Sequence, residues 1–149
     1  MLENRNINVC LVSDLFENYP LSENTIVVVV DLLRATTVIS TAFNFGVKEI
    51  IPVPSLEIAK TYIDREDFIV AAERNAMPIK GFDYGNSPFQ YMNNDILDKT
   101  LVLTTTNGTK AINIASNYEV ITSCFINIDA VEEFLLNSNK DVLILCSGW

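Results

Sequence analysis

Apolar and polar residues alternate along this chain in blocks that predict strands separated by helices. The clearest block is residues 26–30, IVVVV, five β-branched residues in a row. Because no polar residue interrupts them, we expect a strand that is buried on both faces. The run stops at Asp31, and an apolar helical pattern then begins near Thr36 or Thr37 and ends at Gly46. The other predicted strands cover residues 6–13, 48–53, 67–72, 100–106, 119–125 and 141–146. The other predicted helices cover residues 55–65, 87–97, 110–116 and 127–137.

This alternation predicts an α/β fold with a mainly parallel or mixed sheet and helices on both faces, a three-layer α/β/α arrangement. The 149 residues suit a single domain, residues 1–149. The sequence stops one turn after the apolar strand 141–146, with no helix to follow. We therefore expect this domain to be the N-terminal part of a longer chain. Residues 75–87 form a long irregular loop, which is typical of a functional segment.

Charge and composition narrow the classes of partner. The chain carries 10 basic and 19 acidic residues, a net charge of −9. Nucleic acids and anionic membranes both require cationic patches, so we expect neither as a main partner. No apolar run reaches the roughly 18 residues of a membrane span, and Asp14 and Glu17 interrupt any signal-peptide core. We expect a cytoplasmic protein. Whether it assembles into a homo-oligomer is left open.

Histidine is absent, which excludes Ser-His-Asp and Cys-His catalysis and imidazole metal ligands within this chain. A bound metal would have mostly oxygen ligands, which favours Mg²⁺, Mn²⁺ or Ca²⁺. The cysteines Cys10, Cys124 and Cys146 lie in separate apolar runs and are expected to be small buried residues in a reducing compartment.

Four of the apolar strands end in polar or small residues, and in a parallel sheet such endings meet at one edge, where ligands bind. That edge would present two carboxylates, two guanidinium groups, several hydroxyls and several backbone N–H groups. The residues concerned are Asp31, Glu73, Arg34, Arg74, Thr36, Thr37, Thr105, Thr106, Gly108, Thr109 and Gly148.

This set of groups suits an anion held beside a divalent metal. Arginine matches phosphate or sulfonate oxygens, and carboxylates bind the metal. Three other interpretations stay open. The segment after residue 30 could be only a polar helix cap, the domain could bind anions without catalysis, or Cys146 could act as a nucleophile. The segment NGTK lacks the first glycine of a P-loop, so Lys110 is more readily explained as a solvated side chain.

Four motifs in order resemble the 2-phosphosulfolactate phosphatase (ComB) family. They are VVVVDLLRATT, the Glu73-Arg74 pair before a loop ending in GFDYGNSP, TTTNGTKA, and a late CSG, and the resemblance spans residues 26–149. The resemblance implies a ComB-like α/β fold and a Mg²⁺-dependent hydrolase. The family converts (2R)-2-phospho-3-sulfolactate to sulfolactate and phosphate, a step of coenzyme M biosynthesis, and a related small phosphoester is a further candidate substrate.

Carried over motif by motif, the resemblance implies that residues of these motifs, together with Asp83, Gly85, Asn86 and Ser87 of the long loop, line the site. Our leading hypothesis then assigns a role to each. Asp31 and Glu73 would handle metal or water, and Arg34 and Arg74 would clamp phosphate or sulfonate. Asp83 would join Asp31 and Glu73 as a metal ligand. The expected substrate-binding residues are Thr36, Thr37, Asn86, Ser87, Thr105, Thr106, Asn107, Gly108, Thr109, Cys146 and Gly148.

The chain departs from the family pattern in two places. Family members usually have glycines around the Glu-Arg pair, whereas here Ala72 precedes it and Asn75 and Ala76 follow it. Residues other than glycine make a stiffer loop, which would alter how a ligand approaches. A later acidic motif near Glu-Asp-Thr is also missing. If that motif supplies metal ligands, this chain would bind an anion without turning it over.

Overall fold

Two four-stranded sheets with surrounding helices make up the computed structural model, which describes residues 5–75 and 77–148. The strands are β1 (Ile7–Cys10), β2 (Thr25–Val30), β3 (Glu49–Pro52), β4 (Phe68–Arg74), β5 (Met77–Pro78), β6 (Thr100–Thr104), β7 (Glu119–Ser123) and β8 (Asp141–Cys146). The α-helices are α1 (Ala35–Asn44), α2 (Leu56–Lys60), α3 (Gly108–Ile114) and α4 (Ile128–Leu136). Short 3₁₀ helices cover Ser13–Asn18, Pro88–Tyr91 and Asn94–Ile96.

The strands pair almost entirely in parallel, which confirms the α/β class. The first sheet has the order β1-β8-β2-β7, and all its pairs are parallel. The second sheet has the order β3-β6-β4-β5, and only β4 and β5 are antiparallel. The strands are divided between two sheets, because the chain leaves the first sheet after β2 and pairs β3 with β6. Strand partners of this kind are set by tertiary packing, which the local pattern of the sequence does not contain.

Strand β2 is an inner strand of the first sheet and is buried on both faces, as its unbroken apolar run predicts. Val27 and Val29 pack in one cluster with Ala111 of α3. Ile26 and Val28 pack on the opposite face, in a cluster that includes side chains of α4. A parallel strand covered in this way needs no polar alternation.

Helices α1 and α3 bring the two sheets together. Val38 of α1 packs in a cluster with Leu101 and Leu103 of β6. Ile112 of α3 packs against that cluster and also against the cluster around Val27 in the first sheet. The carboxyl ends of strands from both sheets are thereby held close enough to share one cavity.

Two predicted helices differ from the structure. The helix predicted over residues 87–97 is instead a pair of 3₁₀ helices, Pro88–Tyr91 and Asn94–Ile96. Asn93 separates them in an extended conformation, and its side chain accepts a hydrogen bond from the Asp95 N–H. Asparagine competes with the helix in this way. The helix predicted over residues 55–65 ends at Lys60.

None of the helices in the described ranges is long and apolar enough to cross a membrane.

Candidate active site

A cavity of about 540 Å³ lies where strands of both sheets end. Its walls include residues that follow β2 and β8 of the first sheet and residues at the ends of β4 and β6 of the second sheet. Arg34, Glu73 and Asn107 all line it, so the predicted convergence of distant strand ends is confirmed. The full set of lining residues is Asp31, Leu33, Arg34, Glu73, Asn75, Asn86, Thr106, Asn107 and Gly148. We call it the strand-end cavity.

The turn after β2 is closed by threonine hydroxyls. The Thr36 hydroxyl donates to the Asp31 carbonyl at 2.8 Å and accepts from the Asp31 N–H at 3.0 Å. The Thr37 hydroxyl donates to the Leu32 carbonyl at 2.8 Å. These two hydroxyls therefore hold the turn, and neither threonine is among the residues that line the cavity.

The Asp31 carboxylate is partly buried and held by several donors. It accepts hydrogen bonds from the backbone N–H groups of Ala35 and Arg34, at the start of α1, and from the Ser147 hydroxyl after β8. Burial raises the pKa of Asp31 above its ordinary value, repulsion from Glu73 raises it further, and the hydrogen bonds oppose this rise. Two carboxylates close enough to repel each other therefore face one cavity.

The second carboxylate, Glu73, is only 6% exposed. The Thr106 hydroxyl donates to its Oε1 at 3.1 Å, and the Thr106 N–H donates to its Oε2 at 3.4 Å. Thr106 thus fixes the orientation of the Glu73 carboxylate from the neighbouring strand end.

The start of α3 packs tightly against the turn after β2. A Cβ atom added at Gly108 would lie 2.4 Å from the Ala35 Cβ and 2.6 Å from an Asp31 carboxylate oxygen. Only glycine fits such a close approach. Thr105 and Thr109 fix the same turn, since the N–H of each donates to the other's hydroxyl at 3.0 and 3.1 Å. These three residues build the site, while Thr106 and Asn107 line it.

Asn86 also lines the cavity and is 7% exposed. Its side-chain oxygen has no hydrogen-bond partner among the described residues. The neighbouring Ser87 does not line the cavity, and its carbonyl accepts from the Gln90 N–H at 3.1 Å. Of the two predicted contacts at residues 86 and 87, the structure places Asn86 in the cavity wall.

Comparison with known proteins finds a family and relatives that match most of this chain. The family model described as 2-phosphosulpholactate phosphatase matches residues 10–149. The chain belongs to this family. A probable 2-phosphosulfolactate phosphatase of Caldanaerobacter subterraneus is 47% identical over 127 residues, which cover 82% of this chain and 52% of the relative. The protein of the same name from Clostridium tetani is 40% identical over 146 residues, which cover 96% of this chain and 62% of the relative. This chain therefore spans only about half to three-fifths of the length of these relatives.

The family resemblance had implied a clamp role for Arg74, and the structure turns this side chain away from the cavity. Its guanidinium donates to the Thr104 hydroxyl at 2.9 Å and to the Glu73 carbonyl at 2.6 Å. Successive side chains of a strand point to opposite faces, which places Glu73 and Arg74 on different faces of β4. Of the two predicted arginines, Arg34 alone lines it.

The family resemblance had also implied a metal site with Asp83, which the structure does not assemble. The Asp83 carboxylate accepts a hydrogen bond from the Val70 N–H at 2.9 Å and so ties its loop to β4. In residues 5–75 and 77–148 no three acidic, cysteine or histidine side chains gather around a common point. Cys146, an expected substrate contact, is also absent from the lining, whereas Gly148 is part of it.

Three residues of the site were not singled out from the sequence. Ser147 contacts Asp31, although only its neighbours in the CSG motif were named. Asn75 lines the cavity with a φ of 55°, and its N–H donates to the Thr106 hydroxyl at 3.2 Å. Glycine adopts this left-handed conformation freely, and asparagine tolerates it better than most residues. The family's glycine near this point was the available signal. Leu33, on the rim, carries no such signal.

Lys110 lies outside the cavity, as expected. Its ammonium group pairs with Asp14 at 2.6 Å, and both side chains are exposed. Such a surface pair contributes little to stability.

Proposed function

We propose that the strand-end cavity is the active site of a metal-assisted phosphomonoester hydrolase. The observation that supports this most is the placement of two mutually repelling carboxylates and an arginine, Asp31, Glu73 and Arg34, in one cavity. The named relatives point to (2R)-2-phospho-3-sulfolactate as substrate, with a related small phosphoester as the broader class. Coenzyme M biosynthesis as the setting belongs to the same proposal.

The chemistry of the cavity fits a divalent cation such as Mg²⁺. Repulsion between Asp31 and Glu73 is relieved when a cation binds between their charges. Mg²⁺ is commonly held by one or two carboxylates, with water and substrate phosphate completing its shell, so a third acidic side chain is not required. When bound, the ion would neutralise phosphate charge and stabilise the transition state.

Side chains of the cavity would bind the substrate, orient Glu73 and take up the proton. Arg34 would hold the phosphate or sulfonate group by paired N–H donors. Thr106 keeps Glu73 in a fixed orientation, and Asn107 offers further polar contact at the cavity wall. Water would attack phosphorus as the ester P–O bond breaks, and the proton lost by the water would pass by way of a carboxylate to the departing alkoxide oxygen. Asp31 and Glu73 are the two carboxylates of the lining that can take the proton of that water, because the chain has no histidine.

A second candidate function is a non-catalytic anion-binding module. The chain covers 52% of the Caldanaerobacter relative, so groups needed for turnover could lie in the part that is not represented. Such a module would use the same cavity and the same Arg34 clamp. Attack by a Cys146 nucleophile is disfavoured, because Cys146 does not line the cavity.

The test is phosphate release from phosphosulfolactate and from simple phosphoesters, measured with Mg²⁺ and again with EDTA. We expect Mg²⁺-dependent release that Arg34→Ala abolishes and that Arg65→Ala leaves unchanged. Arg65 is a matched control because its guanidinium stacks on the Tyr62 ring at 4.5 Å instead of lining the cavity. Arg34-dependent binding of the substrate without any release would favour the binding module, and release that EDTA does not affect would contradict the metal.

A further inference from the structure

We propose that the side-chain oxygen of Asn86 is the third protein ligand of the divalent cation that Asp31 and Glu73 bind. This inference rests on the proposed function. Its first support is that Asn86 is 7% exposed while its Oδ1 atom has no partner among the described residues. Buried polar atoms are nearly always hydrogen-bonded, so an unsatisfied one needs an explanation.

A cation is the partner that this position suits best. Asn86, Asp31 and Glu73 all line the strand-end cavity, so one amide and two carboxylate groups belong to its wall. A substrate phosphate would be repelled by such a group of acceptors, whereas a hard cation prefers carboxylate and amide oxygens. Asn86 thereby takes the position in the ligand set that the sequence had assigned to Asp83.

The loop around Asn86 is built to hold it in place. The preceding residue, Gly85, has both backbone groups bound by side chains: its N–H donates to Gln90 Oε1 at 2.8 Å, and its carbonyl accepts from the Tyr91 hydroxyl at 2.6 Å. Tyr91 is fully buried and stacks on Tyr84 with ring centroids 5.2 Å apart. Gln90 and Tyr91 are therefore positioning residues, which act on the cation through Asn86.

The decisive experiment titrates Mn²⁺ into the substrate-free protein and measures free Mn²⁺ by electron paramagnetic resonance. We expect Asn86→Ala to weaken Mn²⁺ binding by about 10–100-fold. Asn86→Asp keeps an oxygen at the same place and should bind at least as tightly as the wild type. The matched control is Asn94→Ala, an exposed asparagine of the same region. Thermal unfolding in EDTA checks that each variant is folded.

The outcomes separate this inference from the proposed function. If the wild type binds Mn²⁺ and Asn86→Ala binds it equally well, the inference fails and the proposed metal site stands. A raised KM with unchanged Mn²⁺ affinity would likewise overturn it, because Asn86 would then contact substrate. If the wild type does not bind Mn²⁺, both the metal site and this inference fail.

The positioning role has its own test. Tyr91→Phe removes the hydroxyl bound to Gly85 and should weaken Mn²⁺ binding by about threefold or more. Tyr19→Phe is the matched control, since the Tyr19 hydroxyl also donates to a backbone carbonyl, that of Val9, at 2.7 Å. Gln90→Leu should weaken binding, and Gln90→Glu, which keeps the accepting oxygen, should restore it. Equal Mn²⁺ affinity in Tyr91→Phe, Gln90→Leu and wild type would overturn the positioning role.

Discussion

Two cavities of similar size border strand β2, and they differ in chemistry because they meet different parts of the strand. The strand-end cavity, about 540 Å³, receives Asp31 after the last residue of β2. The second cavity, about 490 Å³, is lined by Val28 and Val30 on the face of β2 and by Ile128, Val131 and Leu135 of α4. We call it the apolar groove. Side chains on a parallel strand's face are selected for packing, whereas those beyond its end are free to carry charge.

The apolar groove is also the less completely packed of the two regions. No residue of α4 is fully buried. On the same face of the first sheet, Ile7 and Val9 of the edge strand β1 are 59% and 47% exposed. Asp31, Glu73 and Asn75 of the strand-end cavity, by contrast, are each hydrogen-bonded to a neighbouring segment. Changes at the cavity should therefore affect chemistry, and changes at the groove should affect mainly stability.

The largest expected effect comes from Glu73→Gln, which removes one charge of the cavity. We expect phosphate release to fall by about 10²–10⁴-fold, as is typical when an acid–base or metal-binding group is lost. Thr106 still has an oxygen to contact, so the fold should be kept. Kinetics and thermal unfolding of the same sample check both statements. Activity near the wild-type level would show that the cavity is not where the chemistry occurs.

The next effect comes from Gly108→Ala, which tests the close packing behind the cavity. The new methyl group would overlap Ala35 and the Asp31 carboxylate, at a cost of about 1–3 kcal/mol in unfolding free energy. Displacing Asp31 should also weaken Mn²⁺ binding. Gly81→Ala is the comparison, because no atom lies within 4 Å of its added Cβ, although its φ of 92° strains alanine. Unchanged Mn²⁺ affinity in Gly108→Ala would contradict the tight link between α3 and Asp31.

A smaller effect is expected from Val131→Ala in the apolar groove. Val131 packs against Ile26 and Val28 but is only partly buried, so the loss should be about 1 kcal/mol. Because the groove is separate from the chemistry, kcat and KM should not change. Chemical denaturation and steady-state kinetics are the measurements. A change in kcat without a loss of stability would show that the two cavities communicate.

The smallest effect concerns pH and the Asp31 carboxylate. Burial raises the pKa of Asp31 in the folded state, so the folded protein favours the protonated form. The wild type should therefore lose stability relative to Asp31→Asn as the pH rises from the ordinary carboxyl range toward neutral. Thermal unfolding in EDTA at a series of pH values measures this difference. A wild type that gains stability over the variant with rising pH would mean that hydrogen bonds outweigh burial at Asp31.

The sequence was enough to predict that the carboxyl ends of several strands lie close together. Unbroken apolar segments followed by charged residues indicate buried parallel strands, and in an α/β fold such strands end at the same edge of the sheet. Residues 26–31 are the clearest case, since the β-branched run specifies β2 and its end specifies the place of Asp31. The side to which Arg74 points was not predictable, because β4 runs two residues beyond its apolar segment. The partition into two sheets depends on long-range pairing of β3 with β6. Asn86 was expected from the resemblance as a substrate contact, and only the structure reveals the buried, unpartnered oxygen on which its proposed role as a metal ligand rests.

The central claim is that a divalent cation and a phosphate group bind together in the strand-end cavity. It is tested most directly by recording backbone amide ¹H–¹⁵N spectra as Mg²⁺ and inorganic phosphate are added together. The account predicts shifts concentrated at Asp31, Arg34, Glu73, Asn86, Thr106 and Asn107, with the amides of α4 unmoved. Shifts confined to α4 and the apolar groove, or none at the strand-end cavity, would contradict it.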